Sequence, residues 1–494
     1  MTAQSPSHYR TQWFDGAANA RRDILAGMVG TFALIPEVIA FSFVAGVDPQ
    51  VGLFASFVIG IVIAIFGGRP AMISGAAGSV ALVAAALVRG HGVQYLLAAT
   101  LLAGMFQIVF GLLKLDVLMR FVSRSVRTGF VNALAILIFS AQLPQMTGVT
   151  WHTYAMIALG LAIIYGAPRI TKAIPSPLIC IVVLTLVAMA HPMPLRTIAD
   201  LGQLPSSLPV FALPQVPFDM ATLHIVAPYA LAMAAVGLLE SMMTASVVDD
   251  LTETTSSKAR ECTGLGLANL AAGLFGGIAG CGMIGQTVGN VRYGGRGRLS
   301  TFVAGVFLLV VMVPLRPWVA QLPVAALVAI MVMVSASTFS WRSLGDLWRH
   351  PKVSGVVMLA TVAVTVATHD LSMGVGVGVL LSGVFFAFKV SRMMAVEVDY
   401  DPATDTRIYT VTGQIFFASA SLFSNSFDLR DTAAHVRIDL TNAHLWDITA
   451  VGALEDVMST LRKHGIAVEV MGLNAASAIL VDRHTALPAN QQTG

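Results

Sequence analysis

The chain has 494 residues, of which 56% are hydrophobic and only 11% charged, and its formal net charge is +3. Soluble domains carry about 25% charged residues, so a water-soluble globule is excluded for most of this sequence. The basic residues are scattered among short loops rather than gathered into a patch with interleaved aromatics, which excludes nucleic acid as a partner.

Residues 1–22 are polar, include Arg10, Arg21 and Arg22, and lack an apolar stretch ending in a small-residue cleavage site. They are expected to stay as a cytoplasmic N-terminal segment. Apolar runs follow at 24–45, 51–66, 71–88, 94–113, 122–143, 153–166 and 177–190. A second set occupies 223–245, 263–280, 283–291, 300–315, 319–339, 355–369 and 373–388. Most approach the length of about 20 residues that crosses a hydrocarbon layer as a helix, so the lipid bilayer is the first partner. Between the sets lies a proline-rich stretch, 191–222, with Pro192, Pro194, Pro205, Pro209, Pro214 and Pro217, which reads as the joint between two halves. With the N-terminus inside, roughly 20 Lys and Arg residues of the membrane part fall on the inner side, and Arg89, Arg196 and Arg316 outside. An even number of crossings returns the C-terminus to the cytoplasm. The expected location is the cell membrane, the inner membrane of a prokaryote.

Seven segments in each half imply that the second half enters from the opposite side, as in an inverted-topology repeat. Segment three opens with RPAMISGAAGS (Arg69 to Ser79) and segment ten is GCGMIGQTVGN (Gly280 to Asn290). Both make poor full-length helices, and non-helical backbone persists at membrane depth only where it lines a cavity. Paired broken segments at matching positions therefore mark a midplane site, with Gly75, Ala76, Ala77, Gly78, Gly285, Gln286 and Thr287 as its candidate substrate-binding residues. Glu37 and Glu240 are the acidic residues set deepest in apolar segments, and they lie in corresponding segments one and eight. Burial disfavours a charged carboxyl, so both are candidates for proton coupling. The competing reading is that each carboxyl serves a broken helix end or snorkels to a loop.

Asn132, Asn269 and Asn290 read as interhelical polar contacts more readily than as substrate donors. The runs GLGLANLAAG (Gly264 to Gly273) and GVGVG (Gly374 to Gly378) lack the strand-loop-helix setting of a nucleotide site and read as helix packing. Arg124 and Arg127 suit inner-side anchoring. Cys180, Cys262 and Cys281 lie far apart, without metal-site or disulfide spacing, so no metal or other cofactor is expected. After Arg392 the composition becomes that of a soluble domain. Strand-like runs at Arg407 to Thr412, Val436 to Leu440 and Ala467 to Met471, with a helical pattern from Ala450 to His464, predict a compact α/β domain. The expected organisation is a transport domain at 23–392, its repeats at 23–190 and 223–390, followed by the α/β domain at 393–494.

The stretch DILAGMVGTFALIPEVIAFSFVAGVDPQVGLFAS (Asp23 to Ser56) resembles the signature of the sulfate permease (SulP) family of anion transporters, in its Asp, Ala-Gly, Ile-Pro and Ala-Gly-x-x-Pro elements. ESMMTASVVDDLTETTSSKARECTGLGLANLAAGLFGGIAGCG (Glu240 to Gly282) resembles the family's helix eight, loop and helix nine. VTGQIFFASA (Val411 to Ala420) and DLTNAHLWDITAVGALEDV (Asp439 to Val457) resemble a STAS domain. Together these resemblances span nearly the whole chain. They imply an α-helical polytopic membrane protein of seven plus seven segments, shared with the uracil permeases, in which a core of segments one to four and eight to eleven moves against a gate. Segments three and ten would then be half-helices whose N–H groups face one cavity. Asp447-Ile448-Thr449 resembles the Asp-x-Ser/Thr loop phosphorylated in stand-alone STAS proteins, although helix N-capping explains it more simply.

The sequence departs from that family at the site. Gly285-Gln286 stands where many members have Ser-Arg, Pro36-Glu37 where Pro-Gln is frequent, and Gly75-Ala76 where Gly-Pro is frequent. The fixed positive charge is thus missing, which leaves anion attraction to the helix ends and to the Gln286 amide. The resemblance implies a secondary active transporter of a small inorganic or organic anion, of the sulfate, bicarbonate or C4-dicarboxylate class, co-transported with a proton or sodium. An anion channel or exchanger and a nucleobase permease are the alternatives of the same architecture. No zinc spacing, nucleophile elbow or P-loop supports an enzyme. A homodimer is the oligomer to test for.

Overall fold

The computed structural model describes residues 12–14, 16–115, 122–170, 176–191, 193–200, 202–349, 352–429 and 433–484. Arg10 and Pro192, singled out above, lie outside them. Two compact units divide between Val379 and Leu380.

In the first unit the chain forms α1 (Ala17–Ala45), α2 (Pro49–Phe66), β1 (Ser74–Gly75), α3 (Gly78–His91), α4 (Val93–Leu112), α5 (Arg124–Met146), α6 (Trp151–Ile170) and α7 (Ser176–Ala190). The same order then recurs as α8 (Met220–Thr252), α9 (Lys258–Leu274), β2 (Cys281–Gly282), α10 (Ile284–Arg292), α11 (Arg298–Val319) and α12 (Val324–Thr338). After the short α13 (Arg342–Arg349) come α14 (Lys352–Thr368) and α15 (Leu371–Ser391), the last of which contains the division between the units. Every expected apolar segment contains a helix, the one at 71–88 only from Gly78 onward after β1, and α13 is an addition. The expected segment 263–280 is corrected: its helix stops at Leu274 because Gly276 takes a left-handed φ of 75° and the Gly277 N–H turns back to Ala272 O at 2.8 Å. Residues beyond that turn run on to β2.

Packing sorts the helices into two groups. In one, α9 lies against α4 and α2, α11 against α1 and α2, and α8 against α4 and α3. In the other, α5 is covered by α14 and α12, and α6 by α12 and α7. Close approach within the first group depends on glycine, since a Cβ on Gly104 would sit 2.7 Å from Gly266 O and one on Gly266 would sit 2.6 Å from Gly104 O. With no hydrophobic drive between helices in lipid, such contacts carry much of the association. The GLGLANLAAG run is thus a packing surface.

Arg298 is 1% exposed and closes the end of α2, donating from Nη1 to Ala64 O at 2.8 Å and from Nη2 to Gly67 O at 2.7 Å. Its Nε donates to Gln12 Oε1 at 2.8 Å. The Glu261 carboxylate accepts the N–H groups of Gly68 and Arg69 at 2.7 and 3.0 Å. Both side chains satisfy backbone groups that a helix end and its following turn would leave bare. The joint between the halves is tied down too, with the Thr197 to Pro323 bridge and the Ile198 N–H donating to Leu322 O at 3.0 Å.

In the second unit, β3 (Ala395–Asp401), β4 (Thr406–Ile415), β5 (His435–Leu445) and β6 (Ala467–Met471) form one sheet in that order. β3 is antiparallel to β4, while β4, β5 and β6 are parallel. Tyr409, Val411, Ile438, Leu440 and Phe423 meet Leu454 and Leu461 of α17 in its core, with α16 (Ala420–Asn425), α17 (Ile448–Lys463) and α18 (Ala475–His484) as the helices. Asp447 is the N-cap of α17, its Oδ1 accepting the Ala450 N–H at 2.9 Å and its Oδ2 the Phe417 N–H at 2.8 Å. Thr449 is exposed in the first turn. At the β3–β4 turn, the Thr404 hydroxyl and the Ala403 N–H hold the Asp401 carboxyl below its ordinary range.

Candidate functional site

β1 and β2 have two residues each, and they pair with each other across the repeat: Ser74 opposite Gly282 and Gly75 opposite Cys281, antiparallel. The ladder is tight enough to require glycine at 280, where a Cβ would lie 2.1 Å from Gly75 O. The Met283 N–H extends the pairing to Ile73 O at 2.9 Å. Each strand then turns into a short helix through an extended residue, Ala77 before α3 and Met283 before α10, and neither helix start has a side-chain cap. The first N–H groups of both helices are therefore free of intrahelical and side-chain partners, and each start carries the positive end of a helix dipole.

Both starts face one cavity of about 270 Å³, to which Ala77, Gly78, Gly285, Gln286, Glu37 and Glu240 contribute. Six of the nine expected site residues are thus brought together. Gly75, Ala76 and Thr287 are not at the wall, which corrects their expected role as lining residues. Gly75 is spent on the ladder and packs on Ser56, while the Ala76 N–H donates to Ser56 Oγ at 3.0 Å. The Thr287 hydroxyl accepts the Ile73 N–H at 3.0 Å and returns a bond to Ile73 O at 3.2 Å. These three fix the two half-helices in register from behind the wall.

The carboxyls differ in setting. Glu240 is buried, and its Oε2 accepts from the Ser79 hydroxyl and from the Cys281 thiol, the latter at 3.1 Å. Glu37 is half-buried. The Gln286 amide stands close to it without completing a hydrogen bond to the protein from Nε2, which is buried. That amide and the bare helix N–H groups are donors left open toward the cavity. Two helix dipole ends and the Gln286 amide are thus turned to the cavity, and among the described residues that line it none is Lys or Arg.

Sequence reasoning missed the opposite wall, formed by Phe130, Leu134 and Ile138 of α5 and by Met333, Ser337 and Thr338 of α12. The i, i+4, i+8 stripe Phe130-Leu134-Ile138 was the available signal, though it is indistinguishable from ordinary packing. Ser79 and Cys281 were missed as partners of Glu240. The asparagines are structural: Asn269 bonds Gln107 Oε1 at 2.8 Å and both backbone groups of Gly280, Asn290 donates to Ala71 O and Ser300 Oγ at 2.9 Å, and Asn132 donates to Ser343 Oγ at 2.8 Å. Arg124 and Arg127 are exposed. Among the described residues no cluster of His, Cys, Asp and Glu is arranged to hold a metal ion.

Comparison with known proteins places this geometry. Residues 21–163 and 149–361 match the sulfate permease family, and residues 397–488 match the STAS domain. The chain is 52% identical over 472 residues to the Bacillus subtilis protein named "Putative sulfate transporter YbaR", covering 96% of this chain and 98% of the relative. It is 28% identical over 426 residues to the bicarbonate transporter BicA of Picosynechococcus, covering 80% of this chain and 75% of BicA. The fold superimposes on murine Slc26a9, an anion transporter solved in the inward-facing state, with a TM-score of 0.80 at 17% identity, over 94% of this chain and 87% of that one. The broken third and tenth segments, the cavity they enclose and these matches together establish that the chain belongs to the sulfate permease family, as a multi-pass membrane protein with a C-terminal STAS domain.

Proposed function

We propose that the protein is a secondary active transporter of small anions, of the sulfate, bicarbonate or C4-dicarboxylate class. The observation that carries this reading is the convergence of two uncapped half-helix starts on one cavity. Backbone N–H groups recognise charge and size rather than one substrate's functional groups, in keeping with relatives named for sulfate and for bicarbonate. α1 to α4 with α8 to α11 act as the core carrying the anion. α5 to α7, α12, α14 and α15 act as the gate against which the core moves in alternating access. The reading assigns no reaction to the protein.

Coupling is to a proton, carried by Glu240 with Glu37 in reserve. An anion beside two carboxylates is repelled unless one of them is neutral. Co-transport of a proton also lessens the opposition of an interior-negative potential, which is about 2.3 kcal/mol per charge per 100 mV. The transport domain is taken as 23–392 and the STAS domain as 393–494, with both termini in the cytoplasm and the transporter in the inner membrane of a bacterium. The test is uptake into proteoliposomes from a panel of labelled sulfate, bicarbonate and C4-dicarboxylates under an imposed pH gradient. Accumulation above equilibrium, abolished by a protonophore, is expected. Uptake that only equilibrates identifies a channel, and accumulation driven by sodium instead of pH replaces the proton.

A further inference from the structure

A second polar cavity, of about 590 Å³, lies at the start of α1 and at the turn between α10 and α11. Trp13, Arg22, Asp23, Arg292, Tyr293 and Arg296 line it. Its charge is unbalanced. The Asp23 carboxylate is committed to the N–H groups of Arg296 and Gly297, at 2.8 and 3.0 Å. Arg296 spends Nη1 on Val291 O and Gly295 O, at 2.6 and 2.8 Å. Among the described residues, neither Arg22 nor Arg292 has a carboxylate partner. Three arginines therefore line a space large enough for a phosphate, with one carboxylate already occupied by backbone.

The setting points to a lipid rather than a free ion. Trp13 stacks edge-on against Phe302 of α11, and Trp and Tyr are the side chains that settle at headgroup depth. Immediately after Arg22 and Asp23, Ile24 and Leu25 turn large apolar side chains outward. A molecule with its charge among the arginines and an acyl chain along that surface would satisfy both. Arg292 is in the last turn of α10, the helix whose first turn lines the central cavity, so the two sites are separated by nine residues of helix, roughly 13 Å.

We propose that this cavity binds the phosphate of an anionic phospholipid, with Arg22, Arg292 and Arg296 as its ligands. The experiment is native mass spectrometry of the full-length protein released from nanodiscs that contain phosphatidylglycerol and phosphatidylcholine in equal parts. The wild type is expected to retain phosphatidylglycerol preferentially. Arg22→Gln with Arg292→Gln should weaken that retention on the order of thirtyfold, while the pair Arg22→Lys with Arg292→Lys preserves most of it. Melting curves in neutral detergent check that the variants are folded. If the glutamine pair is not, each single glutamine variant should lose roughly fivefold. Equal retention by wild type and the glutamine variants overturns the assignment. So does displacement of the lipid by millimolar inorganic phosphate or sulfate, which would make the cavity a site for a small free anion.

Discussion

The Cys281 thiol donates to Glu240 Oε2 at 3.1 Å, so a residue of the central two-strand ladder holds the buried carboxyl of α8 in place. The Ser79 hydroxyl reaches the same oxygen from α3. Donors on one oxygen favour the charged carboxyl, and the other oxygen is left to take the proton. If Glu240 carries the coupling proton, uptake should rise as the external pH falls, approaching tenfold per unit above its midpoint. Glu240→Gln keeps shape and hydrogen bonding, and its uptake should be flat with pH. Wild-type acid stimulation in that variant would transfer the role to Glu37.

Cys281→Ala removes one of the two donors while leaving the ladder's backbone intact. The charged form loses support worth about 1 kcal/mol, so the uptake profile should move toward higher pH by less than about one unit. An unmoved profile with an unchanged maximal rate would make the thiol a packing group only.

A Cβ on Gly285 would meet nothing within 4 Å, and Gly285 lines the cavity, so a large side chain there has the cavity to enter. Gly285→Trp is expected to abolish uptake with little change in melting temperature, and Gly285→Ala to retain it. Ala77→Leu should likewise block transport. Normal uptake by either bulky variant would remove these helix starts from the substrate path.

Arg298→Ala strips the end of α2 of its donors and leaves Ala64 O and Gly67 O buried and unsatisfied. The expected cost is about 3 kcal/mol of stability, read as a lower denaturation midpoint in detergent. Arg298→Lys should recover only part, because an ammonium lacks the planar fork that reaches both carbonyls.

Asp447 and Thr449 separate two explanations of one tripeptide. Asp447→Ala should speed hydrogen exchange in the first turn of α17 by roughly tenfold, for a cap worth about 1 kcal/mol or more, and Thr449→Val should leave it unchanged. The reverse pattern would give the threonine hydroxyl a role that its exposed position does not otherwise explain.

Hydropathy made the membrane part legible because each spanning segment is a continuous apolar run, and the paired breaks at Arg69–Ser79 and Gly280–Asn290 stood out against those runs. The wall from α5 and α12 did not, since Phe130, Leu134 and Met333 look like any other lipid- or helix-facing residues until the fold turns them inward. Ser79 and Cys281 were hidden for a different reason. Their importance lies in a contact with Glu240 that spans 161 and 41 residues of sequence, and no local pattern encodes such a distance. Gly75, Ala76 and Thr287 were misplaced because a broken segment identifies a region, whereas the ladder decides which of its residues face inward.

The pairing of β1 with β2 also fixes a dimension. The two half-helices are stapled together through their own backbones, so on the proposed division into core and gate the span between their starts would belong to the core alone. The aperture that grips the anion would then travel like a caliper locked at one setting: the direction from which it is reached can change, while the width of ion it accepts stays the same on both sides of the membrane.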